Sequence, residues 1–343
     1  MASFESDHKK ELQPLTESSG GGIGKPPKPT AVGTGGFDNG DDAKKATRLD
    51  RYNIAKKWKN PPLISPTNWP LPNLGFYQLK VEKQSQSDRN AIAHSLNKLH
   101  QANSLMAHLV VSNGFEDSYC LGISYPTEGE SKNARDRYIA ADWEFLNSFS
   151  WPNIGIAKAI ELDYITAQLR LGKPDRYVGC ITGSPAVNGN GKHDFAAALQ
   201  GIEYGILTLA APVPPDRLYQ EEVALRRVIE DDKPDSFDRC TERDRHLFEK
   251  IQNSAGTGVW QSCVLYFANA VNFHKLETAL LQLSTAADKN TALTCCFSED
   301  LAIPLDRLAL PLSRAKHQDA SSLTSYRYLT PLLASELAYF MTV

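Results

Sequence analysis

The sequence predicts an α+β protein, with a helix-hairpin-helix unit followed by a split-βαβ, ferredoxin-like sandwich behind a disordered N-terminal head. Three observations carry this. Apolar residues recur at helical spacing on either side of a pair of short apolar runs that flank Asn113-Gly114. From Tyr177 onward, strand-like and helix-like stretches alternate twice. The first 40 residues hold eight of the 22 glycines together with Pro26, Pro27 and Pro29, too little apolar surface to offset the entropy of ordering.

In chain order, the head is expected over 1–62. It includes a basic arm, Lys44, Lys45, Arg48, Arg51, Lys56, Lys57 and Lys59 against the single acid Asp50, which ends at Pro61-Pro62. Such an arm reads as a solvated charged segment or as a contact to phosphate or an acidic partner. Folding begins near Leu74. Over 88–106, Ile92, Leu96, Leu99 and Met106 recur at three to four residues or multiples of that spacing, the signature of an amphipathic helix. The runs 108–112 and 119–124 then read as a hairpin. Ile139, Trp143, Leu146 and Phe149 mark a helix over 135–149 that stops at Trp151-Pro152. These elements make an α-β-β-α unit over 74–155.

The second unit, 176–300, reads as two βαβ halves. Strand 177–182, helix 194–203 and strand 205–213 form the first. A charged helical excursion over 216–231 and 238–254 follows. Strand 259–267, a helix through Phe273, Leu276, Leu280 and Leu283, and strand 292–297 form the second. Residues 301–343 are expected to be irregular until a last helix over 331–341.

With 37 Lys+Arg against 40 Asp+Glu the formal net charge is −3, which excludes a strongly basic nucleic-acid binder. No apolar run approaches the roughly 20 residues of a bilayer span, and the start lacks a secretory layout, so a cytoplasmic protein is expected. Six cysteines without a CxxC read as buried small hydrophobes. Cys295 and Cys296, adjacent on a strand, face opposite sides.

Chemical motifs are incomplete. Gly20 to Lys25 has Ser19 and Pro26 where a phosphate loop needs Gly and Ser/Thr, and Gly183 to Lys192 has Ala186 and His193 at the same places. Thr182-Gly183-Ser184-Pro185 lacks both outer glycines of a nucleophile elbow. His94, His100 and His108 sit in no ligand motif. Hence no cofactor, metal ligand or catalytic set is expected. Trp143 and Trp260 read as core. Tyr326, Tyr328, Tyr339 and Phe340 surround the last helix, whose Leu333, Leu337, Phe340 and Met341 are candidates for an interaction face.

Four segments carry a resemblance. They are Thr182-Gly183-Ser184-Pro185; Leu199 to Leu207 with Ala210-Ala211-Pro212-Val213; Gly258-Val259-Trp260; and Leu329 to Ala338. With them, 177–341 resembles the region preceding the motor domain in bacterial ATP-binding proteins of the HerA and conjugation-ATPase type, which pump DNA or drive secretion. The resemblance implies a non-catalytic assembly or partner-contact module, because the nucleotide-binding residues of that family lie in the motor that follows. It also implies that the last helix leads into a motor, which would leave its apolar face partly covered and suited to self-association or to a motor-bearing partner. Two other readings stand beside it: a nucleic-acid-binding module using the arm 44–59, and an enzyme with a site near Gly183–His193.

Overall fold

The computed structural model describes residues 73–81, 86–127, 137–148, 154–185, 199–230, 242–254, 257–282, 293–311, 313, 322–324 and 326–341. The expected head, with its basic arm, and residues 194–198 of the helix expected over 194–203 lie outside the described residues; 199–203 form a turn leading into a strand instead of helix. What is described forms a mixed α/β body around one antiparallel sheet of ten strands.

The first half contributes β1 (Gly75–Val81), α1 (Gln86–Gln101), β2 (Leu105–Asn113), β3 (Asp117–Pro126), β4 (Tyr138–Ala140), α2 (Trp143–Asn147) and β5 (Ile154–Ile160). α1 buries Ile92, Leu96 and Leu99 completely. It stops earlier than the spacing predicts. Asn103 takes φ +52, while Ser104 N donates to Leu99 O (2.9 Å) and Asn103 N to His100 O (2.9 Å). This is a Schellman-type stop, and it leaves Met106 in β2. The expected hairpin is present. Gly114 takes φ +87, and Asn113 Oδ1 accepts from Phe115 N and Glu116 N, each at 2.9 Å, closing the turn with the asparagine's own side chain.

The helix expected over 135–149 is mostly not helical. Residues 138–140 pair with β3 as β4, and Asp142 caps α2 by accepting from Phe145 N at 2.8 Å, so helix starts only at Trp143. The apolar stripe is thereby split. Leu146 is buried, whereas Trp143 is 49% exposed instead of packing in the core as expected.

Next come α3 (Leu162–Gln168), β6 (Arg176–Thr182), β7 (Glu203–Pro212), α4 (Pro215–Glu230), α5 (Glu242–Asn253), β8 (Val259–Asn269), α6 (Ala270–Gln282), β9 (Thr294–Phe297) and α7 (Ala302–Asp306). β10 (Thr330–Leu333) and α8 (Ala334–Met341) close the described chain.

Strand order is β5-β1-β3-β2-β7-β8-β6-β9, with β10 also paired to β8 and every pairing antiparallel. Numbering β1, β2, β3 and β5 as strands one to four, the first half reads four-one-three-two from its outer edge. β6, β7, β8 and β9 read four-one-three-two from the opposite edge. The two units expected from the sequence therefore share one sheet, and the second repeats the strand order of the first. They meet where β2 pairs with β7, from Met106↔Ala210 to Asn113↔Glu203.

Each face has its own core. One face holds Ile92, Leu96 and Leu99 of α1, Leu146 of α2, Leu276 and Leu280 of α6, and α8. The other buries Leu105, Leu109, Leu207, Leu209 and Leu265 beneath α3, α7 and Tyr326 to Leu329. Strands covered on both faces must be apolar at nearly every position, which is why β2, β7 and β8 read as unbroken apolar runs. Gly179 and Gly205 lie opposite Tyr266 and Phe267, whose rings occupy the space a Cβ would need.

α8 departs from expectation. Leu337, Phe340 and Met341 are buried and Leu333 is half-buried, so the partly covered face expected on these four residues belongs to the interior. The reason is tertiary: α8 packs along α1 and onto β8, and Arg89 lies 4.8 Å over the Tyr339 ring. Truncation before residue 331 is expected to abolish cooperative unfolding, measured by circular dichroism during a urea titration. A core that survived the truncation would contradict this packing.

His108 makes the body pH-sensitive. It is buried in β2 opposite Thr208, with Tyr119 stacked beside it at 6.5 Å, and burial pushes its pKa down from 6.5 to about 4. Below pH 6.5 the unfolded chain takes up a proton that the folded chain refuses. Stability is therefore lost as pH falls from 6.5 towards 4, by of order 3 kcal/mol from this group. Denaturant midpoints at pH 7 and pH 4.5 should show the loss, and His108→Gln should make the midpoint less sensitive over that interval.

Candidate functional site

A buried lysine joins three segments that are far apart in sequence. α5 is amphipathic, and Asp244, Leu247, Lys250 and Ile251 form its buried face. From there Lys250 Nζ donates to Ser184 Oγ (2.6 Å) and to Pro331 O (2.9 Å), and pairs with Glu336 Oε2 (2.9 Å). Ser184 follows the end of β6, where Gly183 turns the chain at φ +99. Glu336 sits in the first turn of α8 and also accepts from Leu333 N at 2.7 Å. That is the backward half of a capping box, so one carboxylate both starts α8 and holds Lys250.

Beside this clamp lies Trp260, fully buried in β8. Its strand pairs with Leu332 and Leu333 of β10 and with Pro212 of β7. Val259 O accepts from Val213 N (2.9 Å) and lies 2.9 Å from His100 Nε2, whose imidazole meets Trp260 edge-on at 5.3 Å. Burial pushes the His100 pKa down and the Val259 contact opposes it. Gly258 takes φ +75 directly under the His100 ring, where a Cβ would collide.

The chemistry follows from counting donors. Three N–H groups of an ammonium meet three acceptors, one of them a carboxylate. Burial pushes the Lys250 pKa down, and the Glu336 charge opposes that. Held against Glu336, Pro331 O and Ser184 Oγ, all three protons are engaged and Ser184 receives a hydrogen bond. The lysine therefore acts as a tie; a Ser–Lys nucleophile pair would need a lone pair directed at Ser184.

Sequence reasoning singled out Ser184 and the 329–338 segment, which contains Glu336, but gave Glu336 no role and missed Lys250. The available signals were the buried-face spacing Leu247, Lys250, Ile251 and the glutamate three residues after Leu333. Lys44, Lys45, Arg48, Arg51, Lys56, Lys57, Lys59 and the stretch 186–193 lie outside the described residues. Among the described residues no group of three or more His, Cys, Asp or Glu is placed to hold a metal ion. Cys295 packs on the face covered by α1, α6 and α8, and Cys296 on the other.

Removing one partner of a buried pair strands the other charge, so Lys250→Met or Glu336→Leu alone should cost about 3–5 kcal/mol, and the double variant should recover most of it. Urea midpoints of the four proteins make the cycle; additive losses would show that the pair is not coupled.

No protein-family model matches the chain, and no curated protein matches it.

Proposed function

We propose that this chain is a non-catalytic assembly or partner-contact module, of the kind that precedes the motor in HerA-type ATPases. The supporting observation is convergence. Segments 182–185, 210–213, 258–260 and 329–338 each carry part of the resemblance, and they meet at one end of the sheet around Lys250 and Trp260. Motif residues gathered by the Lys250 clamp and by the pairing of β7, β8 and β10 read as a shared architectural device. The four-one-three-two order of β6 to β9 supports reading 176–300 as a split-βαβ, ferredoxin-like sandwich.

With α8 interior, partner contact falls to other exposed apolar positions. Tyr177, Phe273 and Phe297 cluster at the β9 edge with ring centroids 5.7 to 5.8 Å apart, and both Tyr177 and Phe297 are exposed. The setting proposed is cytoplasmic; no helix among the described residues is long and apolar enough to cross a membrane.

The full chain is expected to associate with a separately purified HerA-type motor ring in sedimentation velocity, with Phe297→Asp weakening the association at least tenfold. Salt-dependent binding to a DNA duplex without binding to the motor would favour the nucleic-acid reading through the 44–59 arm. Hydrolysis of ATP by the chain alone would sink both.

A further inference from the structure

On the face of the sheet opposite α1, α6 and α8, three neighbouring strands each present a cysteine: Cys263 on β8, Cys180 on β6 and Cys296 on β9. Cys180 and Cys263 are fully buried, while Cys296 is half-buried on β9, which among the described strands pairs only with β6. Cys295 points to the other face and takes no part. We propose that Cys296 and Cys180 form a peroxide-responsive thiol pair that closes to a disulfide across β6 and β9, with Cys296 oxidised first.

Register decides which cysteines can bond. The sulfurs of Cys180 and Cys263 lie 3.9 Å apart. Their backbones are poorly placed, because the residue opposite Cys180 on β8 is Leu265, two positions from Cys263. Diagonal neighbours on paired strands lie about 7–8 Å apart, beyond the Cα separation a disulfide spans without backbone movement. Cys180 and Cys296, by contrast, are direct register partners. Directly opposed residues have Cα atoms about 4.5 or 5.5 Å apart, inside the disulfide range, and both side chains point to the same face. The pair that touches is thus not the pair that can bond.

Exposure orders the two steps. Burial and the neighbouring Cys263 push the Cys180 thiol well up, and its sulfur lies 3.5 Å from Tyr328 O, so it stays protonated and out of solvent. The Cys296 thiolate, its proton given to solvent, attacks a peroxide oxygen; an S–O bond forms, the O–O bond breaks, and the leaving hydroxide or alkoxide takes a proton back from solvent and departs as water or an alcohol. Cys180 sulfur then attacks the Cys296 sulfenic sulfur. The S–S bond forms, the S–O bond breaks, and the released hydroxide takes the Cys180 proton to leave as water. Two thiols have lost two electrons to the peroxide, and an external dithiol reverses the change. The product fixes the short edge strand β9 to β6.

Reduced full-length protein, treated with hydrogen peroxide and then alkylated, should fall from six titratable thiols to four. A non-reducing digest should yield one peptide joining Cys180 to Cys296, lost with dithiothreitol. Amide exchange in β9 should slow at least tenfold on oxidation. Cys296→Ser should abolish the link and Cys263→Ser should leave it intact; the digest of unsubstituted protein decides the matter even if a variant misfolds. A Cys180–Cys263 peptide, a link between chains, or Cys296 carried to sulfinic acid without any link would overturn the proposal.

Discussion

The pairing of β2 with β7 is the constraint on which the rest of the molecule depends. Each strand is the second of its half and would otherwise leave a row of backbone groups unpaired. Joined, they turn two four-strand orders into one sheet whose centre is buried on both faces. A one-residue slip of β2 along β7 would carry Leu109 off the face it shares with Leu207 and put His108 there in its place. Burial of both faces makes any such slip costly, so the register of the junction is strongly specified.

The two faces are finished differently, and this explains where charge sits. Beneath α1, α6 and α8 the layer is closed by an apolar helix, α8, whose first turn carries Glu336 inward. A carboxylate there requires a cation, and Lys250 supplies it from α5 while also tying down Ser184 and Pro331. Buried ion pairs of this kind add little net stability compared with apolar packing, but they penalise every arrangement in which one partner is left alone. Three separated segments are thereby held in a single arrangement. On the opposite face, Asp306 of α7 plays a more exposed version of the role, holding Lys173 (2.9 Å) and Arg176 (2.8 Å).

This division fits a module that presents surfaces. The segments of the proposed resemblance meet around Lys250 and Trp260, and one cluster of exposed aromatic residues, Tyr177 and Phe297, lies on the neighbouring strands β6 and β9. The cysteine pair across β6 and β9 sits at that same edge, so oxidation chemistry and partner contact would act on one strand.

By itself the sequence determined the elements with strong local periodicity. α1 was legible from Ile92, Leu96 and Leu99, the β2–β3 hairpin from Asn113-Gly114, and β6, β7, β8, α4, α5 and α6 from long apolar runs or charged helical stretches with clear breaks. Periodicity is a property of neighbouring residues, and these elements need nothing more. β9 was legible too, as the strand expected over 292–297. Tertiary structure decided the other features. β1 and β5 were not read as strands because pairing made them strands; residues 138–140 became β4 because β3 offered an edge; and α8 became interior because α1 and β8 cover it. The Lys250 clamp joins residues 66 and 81 positions away, Ser184 and Pro331, through hydrogen bonds that no local window contains. Burial is what turned a lysine and a glutamate that look like surface residues into a fixed pair, and burial depends on which strands meet.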